Sequence, residues 1–200
     1  MSDVVRARNV VLYQGDRPLT RPISFAAQAG QVLRITGQNG VGKTTLLRTL
    51  LGAHQQWLGD LELKARGVAY LSQAEVTFAT MTLQRLLPLV VGQRAERTRE
   101  ICERLKISDK LMSTAMGVLS GGQLRRAQLA IALAREHDLL LLDEPLSGID
   151  EDSRNEIWDC ICVQSATAAV VVVEHQLRRR PTDAAFEEVT VESVRDDFES

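Results

Sequence analysis

The run Gly37-Gln38-Asn39-Gly40-Val41-Gly42-Lys43-Thr44-Thr45 sets three glycines ahead of a lysine and two hydroxyls, in the spacing G-x-x-x-x-G-K-[ST]. Glycines let successive backbone N–H groups curl around a phosphate, and a helix opening at Lys43 adds the positive end of its dipole. In that geometry Lys43 reaches the terminal phosphates and the Thr44 hydroxyl is offered to Mg²⁺. A cradle of this kind binds nucleotide through Gly37, Asn39, Gly40, Gly42, Lys43, Thr44 and Thr45, but cleavage also needs a held metal and an oriented water. LLLLDEP at 139–145 supplies both candidates. Asp143, at the end of an apolar run, is placed to hold Mg²⁺ through water, and Glu144 can take a proton from attacking water. A second anion-binding arrangement stands between them: LSGGQ at 119–123 puts the Ser120 hydroxyl and two glycines, Gly121 and Gly122, at the start of a helix.

The elements that must carry these residues follow from pattern. VVRARNVVLY alternates loosely, QGDRP is a turn, and PISFAAQAG and QVLRIT are further extended runs. KTTLLRTLLG has helical spacing with Gly52 as its stop. GDLELK and GVAYLSQ read as short strands. From about 76 to 117 the texture is helical, in MTLQRLLPLVV, broken at Pro88, and QRAERTREICERLKI. Next, helix GGQLRRAQLAIALARE feeds strand DLLLLD, helix EDSRNEIWDCICVQ feeds strand AAVVVVEH, and FEEVTVES is a last strand. Strands that are apolar throughout, alternating with helices, argue for an α/β chain with a parallel sheet buried on both faces, beside an antiparallel N-terminal layer.

Composition narrows the field. Two hundred residues, 44% hydrophobic, suit one domain over 1–200 with the helical stretch inserted in it. With 24 basic and 26 acidic residues there is no electrostatic footprint for nucleic acid and no polybasic anchor; the basic run LRRRPTD at 177–183 reads as a solvated turn. Cys102, Cys160 and Cys162 lack metal-type spacing and fit a reduced chain in the cytoplasm. The apolar runs at 139–142 and 168–173 are too short to cross a bilayer, so a membrane role must come through a partner.

From Tyr13 to His175 the sequence resembles the ATP-binding-cassette (ABC) family, through an ordered set of motifs. LSGGQ matches that family's signature, just upstream of LLLLDEP. Gln73 in AYLSQ matches the glutamine that touches metal and attacking water; Ser147-Gly148-Ile149-Asp150 matches the D-loop, usually SALD. His175 in VVVVEH matches the switch histidine, and Tyr13 the aromatic that stacks on adenine. The resemblance implies a P-loop NTPase fold with a mixed sheet core, an antiparallel β layer and an inserted helical subdomain. It implies ATP and Mg²⁺ as ligands, Glu144, His175 and Gln73 as catalytic residues, and Thr44, Gln73 and Asp143 around the metal.

It also answers why one chain carries two anion sites. In the family two cassettes face head to tail, so Ser120, Gly121, Gly122 and Gln123, with Asp150, cover the nucleotide of the neighbour. The implied function is the ATPase subunit of a transporter, bound to transmembrane permease subunits on the cytoplasmic face of the membrane and paired with a second ATPase subunit, identical or different. The short stretch after His175 implies no appended regulatory domain. The alternative is a soluble cassette ATPase acting on ribosomes or nucleic acid. It is disfavoured because the chain shows neither a long coiled-coil insertion nor a second cassette, and no nucleic-acid partner is expected.

Overall fold

The computed structural model describes residues 3–73, 78–91, 95–174 and 184–194; His175 and the basic run at 177–183 lie outside them. In chain order the elements are β1 (Val5–Gln14), β2 (Arg17–Pro18), β3 (Ile23–Ala27), β4 (Gln31–Thr36), α1 (Lys43–Leu50), β5 (Trp57–Leu63) and β6 (Val68–Leu71). Then follow α2 (Leu83–Val91), α3 (Ala95–Arg104), α4 (Asp109–Ser113), a 3₁₀ turn at Met116–Val118, α5 (Gly121–Ala134), β7 (Leu139–Asp143), α6 (Glu151–Val163), β8 (Ala169–Val173) and β9 (Ala185–Thr190).

Five strands form a sheet in the order β6-β7-β8-β4-β9, with each described pairing parallel. Its central strands are LLLLD and AVVVV, and every residue in both is buried. Alternate side chains serve two different cores, which explains why these strands show no polar face. Leu140, Leu142, Val170 and Val172 pack toward α2, α3, α5 and α6, while Leu139, Leu141, Ala169 and Val171 pack toward α1 and the antiparallel layer. Burial of each leucine or valine contributes roughly 1.5–3 kcal/mol relative to exposure, so the strands that end at the site are firmly held.

The antiparallel sheet places β1 between β2 or β3 on one side and β5 on the other. The loose alternation of β1 has a specific cause. Its register shifts between Ala7 and Val10 against β3 and between Arg8 and Val11 against β5, and Asn9 in the bulge has φ +50°. Opposite it, a Cβ at Gly59 (φ +105°) would collide with the Asn9 carbonyl, so glycine is required there.

One expectation is corrected. Pro88 does not break the helix: α2 runs from Leu83 through Val91 with the proline inside it. Proline lacks one N–H, so only the bond toward the Gln84 carbonyl is lost, and the buried face of Leu83, Leu86 and Leu87 keeps the segment helical. The helical stretch starts and finishes at one neck. Met116 N–H donates to the Met81 carbonyl at 2.9 Å, Gly117 N–H to Ala79 at 3.0 Å, and Thr82 bridges Ala115.

Candidate nucleotide site

The phosphate loop links the end of β4 to the start of α1. Gly37, Gly40 and Gly42 have φ of +138°, +78° and +112°, a region that L side chains avoid. Gly37 is also pressed against the Val191 carbonyl, where a Cβ would collide. Gly42 caps α1 without a side-chain hydrogen bond, leaving the helix N-terminus open to an anion. Lys43 Nζ donates to the carbonyls of Gly37 at 2.8 Å and Gln38 at 2.7 Å, which ties the loop into its curl. Burial pulls the Lys43 pKa down from its usual value, and the carboxylates of Glu144 and Asp143 pull it back up.

The other wall of the cleft comes from β7. Asn39, Gly40, Gly42, Lys43, Thr44 and Thr45 line a cavity of about 410 Å³ together with Gln73, Asp143, Glu144 and Val173. Thr44 Oγ1 donates to Asp143 Oδ2 at 2.7 Å, while Asp143 Oδ1 is buried with no hydrogen-bond partner among the described residues. A buried orphan carboxylate oxygen beside a hydroxyl suits a small hard cation that takes its remaining ligands from phosphates and water. Mg²⁺ fits this donor set. Burial pushes the Asp143 carboxyl above its usual pKa; the Thr44 hydrogen bond works against that shift, and neighbouring Glu144 adds to it.

Glu144 adopts φ +49°, rare for a side chain of its size. Its N–H donates to Val173 at 2.8 Å and its carbonyl accepts from Arg125 Nη2 at 2.7 Å. Strain of about 1–3 kcal/mol at such a residue is characteristic of functional positions, and here it turns the carboxylate out of the strand line into the cleft.

LSGGQ lies outside the set of residues lining this cleft. Ser120 caps α5 in a capping box: its Oγ accepts from Gln123 N–H at 3.4 Å, and Gln123 Oε1 accepts from Ser120 N–H at 3.1 Å. Ser120 and Gly121 are exposed, and a Cβ on Gly121 would meet nothing within 4 Å. Gly122 faces inward, where a Cβ would stand 2.8 Å from the Gly148 carbonyl. Gly148 has φ +72°, and Ile149 is buried at 4% exposure, so both departures from SALD follow from how this turn packs on α5. Asp150 caps α6 through Ser153 N–H at 3.0 Å and pairs with Arg126 on α5.

The chain therefore brings Gly40, Gly42, Lys43, Thr44, Thr45, Asn39, Gln73, Asp143 and Glu144 to one cleft, with Gly37 at the root of the loop. It does not bring Ser120, Gly121, Gly122, Gln123 or Asp150 there. Tyr13 is also absent from the lining; it is half-buried on β1, beside Leu12, whose side chain stands 3.8 Å from where a Cβ on Gly42 would lie. Sequence reasoning missed Arg125. The signal was available: in LRRAQLAIALA, Arg125 shares the helical face of Leu129 and Ala132, both buried, so a charge there requires internal partners.

Comparison with known proteins agrees with this geometry. The ABC transporter family profile matches residues 20–147. The zinc import ATP-binding protein ZnuC of Marinobacter nauticus is 31% identical over 179 residues, covering 87% of this chain and 69% of that protein. ZnuC of Magnetococcus marinus is 33% identical over 187 residues, covering 90% and 72%. Among solved structures, a putative ABC transporter ATP-binding protein from Pyrococcus furiosus superposes with a TM-score of 0.79 at 22% identity, covering 92% of this chain and 96% of that one, a likeness of fold. An α/β fold with a glycine-rich phosphate loop, an acidic strand end beside it and the matched family profile lead to one conclusion: this chain belongs to the ABC transporter family, as an ATP-binding and ATP-hydrolysing subunit.

Proposed function

We propose that the chain is one half of an ATP-closed pair on the cytoplasmic face of a membrane, driving separate permease subunits. The observation that carries this reading is the separation of two half-sites: the cleft holds the loop, Asp143 and Glu144, while the exposed helix N-terminus at Ser120 and Gly121 stands apart from it. A triphosphate in the cleft has donors on one side only. A second cassette turned head to tail supplies Ser120, Gly121, Gly122 and Gln123, with Asp150 beside them, and the chain returns the same residues to its neighbour.

In the cleft Lys43 and the loop N–H groups would hold the phosphates, and Thr44, Asp143 and Gln73 would hold Mg²⁺, which would supply positive charge against the phosphoryl oxygens. Glu144 accepts the proton of attacking water. His175, two positions in sequence after Val173, the residue of β8 that pairs with Asp143, is assigned to the γ-phosphate, and Tyr13 to the adenine. Loss of the γ-phosphate removes the contact that holds the pair shut, and this bistability performs the work.

Docking of a permease helix is supported by an apolar groove of about 620 Å³, lined by Leu51, Tyr70, Phe78 and Ile131 with Arg48 and Arg135 at its rim. Ser72, the neighbour of Gln73, also lines it, so a helix seated there presses on the segment that faces the metal. Among the described residues no helix is long and apolar enough to cross a membrane. The membrane chains choose the cargo, and zinc, the ion in the names of the relatives, is the cargo to assay first. The test is affinity purification of tagged chain from detergent-solubilised cells. Recovery of polytopic membrane chains is the expected result; co-sedimentation with ribosomes and no membrane chain would overturn the reading.

A further inference from the structure

We propose that Arg125 is a positioning residue for ATP hydrolysis, tying the segment that carries Gln73 to the strand end that carries Asp143 and Glu144. The side chain is buried, at 6% exposure, in the second turn of α5. Its Nη1 donates to the Ser72 carbonyl at 2.7 Å, and its Nη2 donates to the Glu144 carbonyl at 2.7 Å and to the Asp143 carbonyl. One planar group thus fixes the backbone immediately before Gln73 and the backbone of both carboxylates at once. Neither segment can move against the other without breaking that fork.

The need for such a brace is visible at Glu144. Its φ of +49° is rarely adopted by a side chain, and hydrogen bonds hold the peptide groups on both sides of it: its own N–H donates to Val173, and its carbonyl accepts from Arg125 and from the Ser147 N–H. Burial disfavours the charge of Arg125, and Asp143, Glu144 and Glu174 offset part of that penalty. Arg125 also reaches Gln128 Oε1 at 3.4 Å, and Ser72 and Gln128 both line the groove described above. Pressure in that groove is therefore communicated through the guanidinium to the carbonyls of Asp143 and Glu144. A lysine cannot substitute: its ammonium is one point of charge, whereas the fork spans two segments from two nitrogens.

This inference rests on Glu144 as the base and Gln73 as the residue facing metal and water, so the experiment includes both. The purified chain and its Arg125→Lys, Arg125→Met, Gln73→Ala and Glu144→Gln variants are compared in kcat and KM for Mg-ATP, in affinity for a fluorescent ATP analogue, and in melting temperature. For Arg125→Lys, kcat falls about tenfold to a hundredfold while KM and analogue affinity stay within about threefold and the melting temperature stays near that of the parent chain. Arg125→Met, which cannot donate at all, loses at least as much. Combining Arg125→Lys with Gln73→Ala costs less than the product of the two separate losses, because both act through one unit. Parental kcat in Arg125→Lys, or kcat, KM and melting temperature all declining together, overturns the proposal. Glu144→Gln turning over normally would instead remove the assignment of the base, a different failure from an inactive Glu144→Gln beside a fully active Arg125→Lys.

Discussion

In the head-to-tail pair proposed above, Ser120 does two jobs that a single substitution can separate. Its Oγ accepts from Gln123 N–H at 3.4 Å as the helix cap, leaving the hydroxyl hydrogen to be donated outward to the neighbour's phosphate. Aspartate caps a helix about as well as serine, and its charge beside the N-terminal dipole adds about 0.3–1 kcal/mol. Ser120→Asp therefore melts at the parental temperature or a degree or two above it, since about 1 kcal/mol moves the midpoint of a chain this size by roughly 2–4 °C. Against a γ-phosphate the same carboxylate is repulsive. At about 4 Å and an effective dielectric near 20, one pair of unit charges costs about 4 kcal/mol, roughly a thousandfold in closure of the pair. The assay pairs a thermal melt with steady-state Mg-ATP hydrolysis and with analogue binding at a protein concentration too low for pairing. Expected are an unchanged melt, unchanged binding and hydrolysis lost about a thousandfold. Parental hydrolysis in a well-folded Ser120→Asp protein would refute the placement of Ser120 at a phosphate.

Three further outcomes are expected. Glu144→Gln retains ATP, lowers turnover by roughly 10²–10⁴, and runs as a dimer on gel filtration with Mg-ATP; monomeric elution with normal turnover contradicts its role. The adjacent glycines of the signature respond oppositely: Gly122→Ala, whose Cβ meets the Gly148 carbonyl at 2.8 Å, loses about 1–3 kcal/mol, whereas Gly121→Ala, open to space, gains about 0.5–1 kcal/mol from helix propensity, as denaturant titration will report. His137 donates from Nδ1 to the Arg135 carbonyl, since a carbonyl only accepts, and Nε2 is buried with no hydrogen-bond partner among the described residues. Burial lowers its pKa below the ordinary 6.5, so the unfolded chain binds the extra proton first and stability falls as pH drops from about 6.5 toward the lowered value. His137→Gln flattens that slope in melts taken between pH 7 and 5; an unchanged slope refutes the assignment.

The phosphate loop, the acidic strand end and the parallel sheet were legible because each is written locally: glycine spacing, an Asp-Glu pair after leucines, strands without a polar face. What escaped depends on contacts between distant segments. The bulge at Asn9 is set by Gly59 across the sheet, and Pro88 stays helical because Leu83, Leu86 and Leu87 are held from outside α2. Gly148 reads as a departure from the D-loop pattern until its φ of +72° and the bare Gly122 beside its carbonyl are seen together. Arg125 looks like half of a solvated Arg-Arg pair, and only the register of α5 separates its buried position from that of Arg126, which pairs with Asp150. His175 was read from sequence alone and is outside the described residues.

The tail backs the loop that opens the site. Val191 donates to the Thr36 carbonyl at 2.8 Å, its own carbonyl abuts Gly37, Arg21 N–H donates to Glu192 at 2.9 Å, and Thr20 bridges Ser193. A ribosome releases the glycine loop long before it releases this buttress, so a nascent chain holds the letters of a nucleotide site without its rear wall. Competence to grip ATP is then tied to the synthesis of residues 191–193 rather than to that of the loop itself.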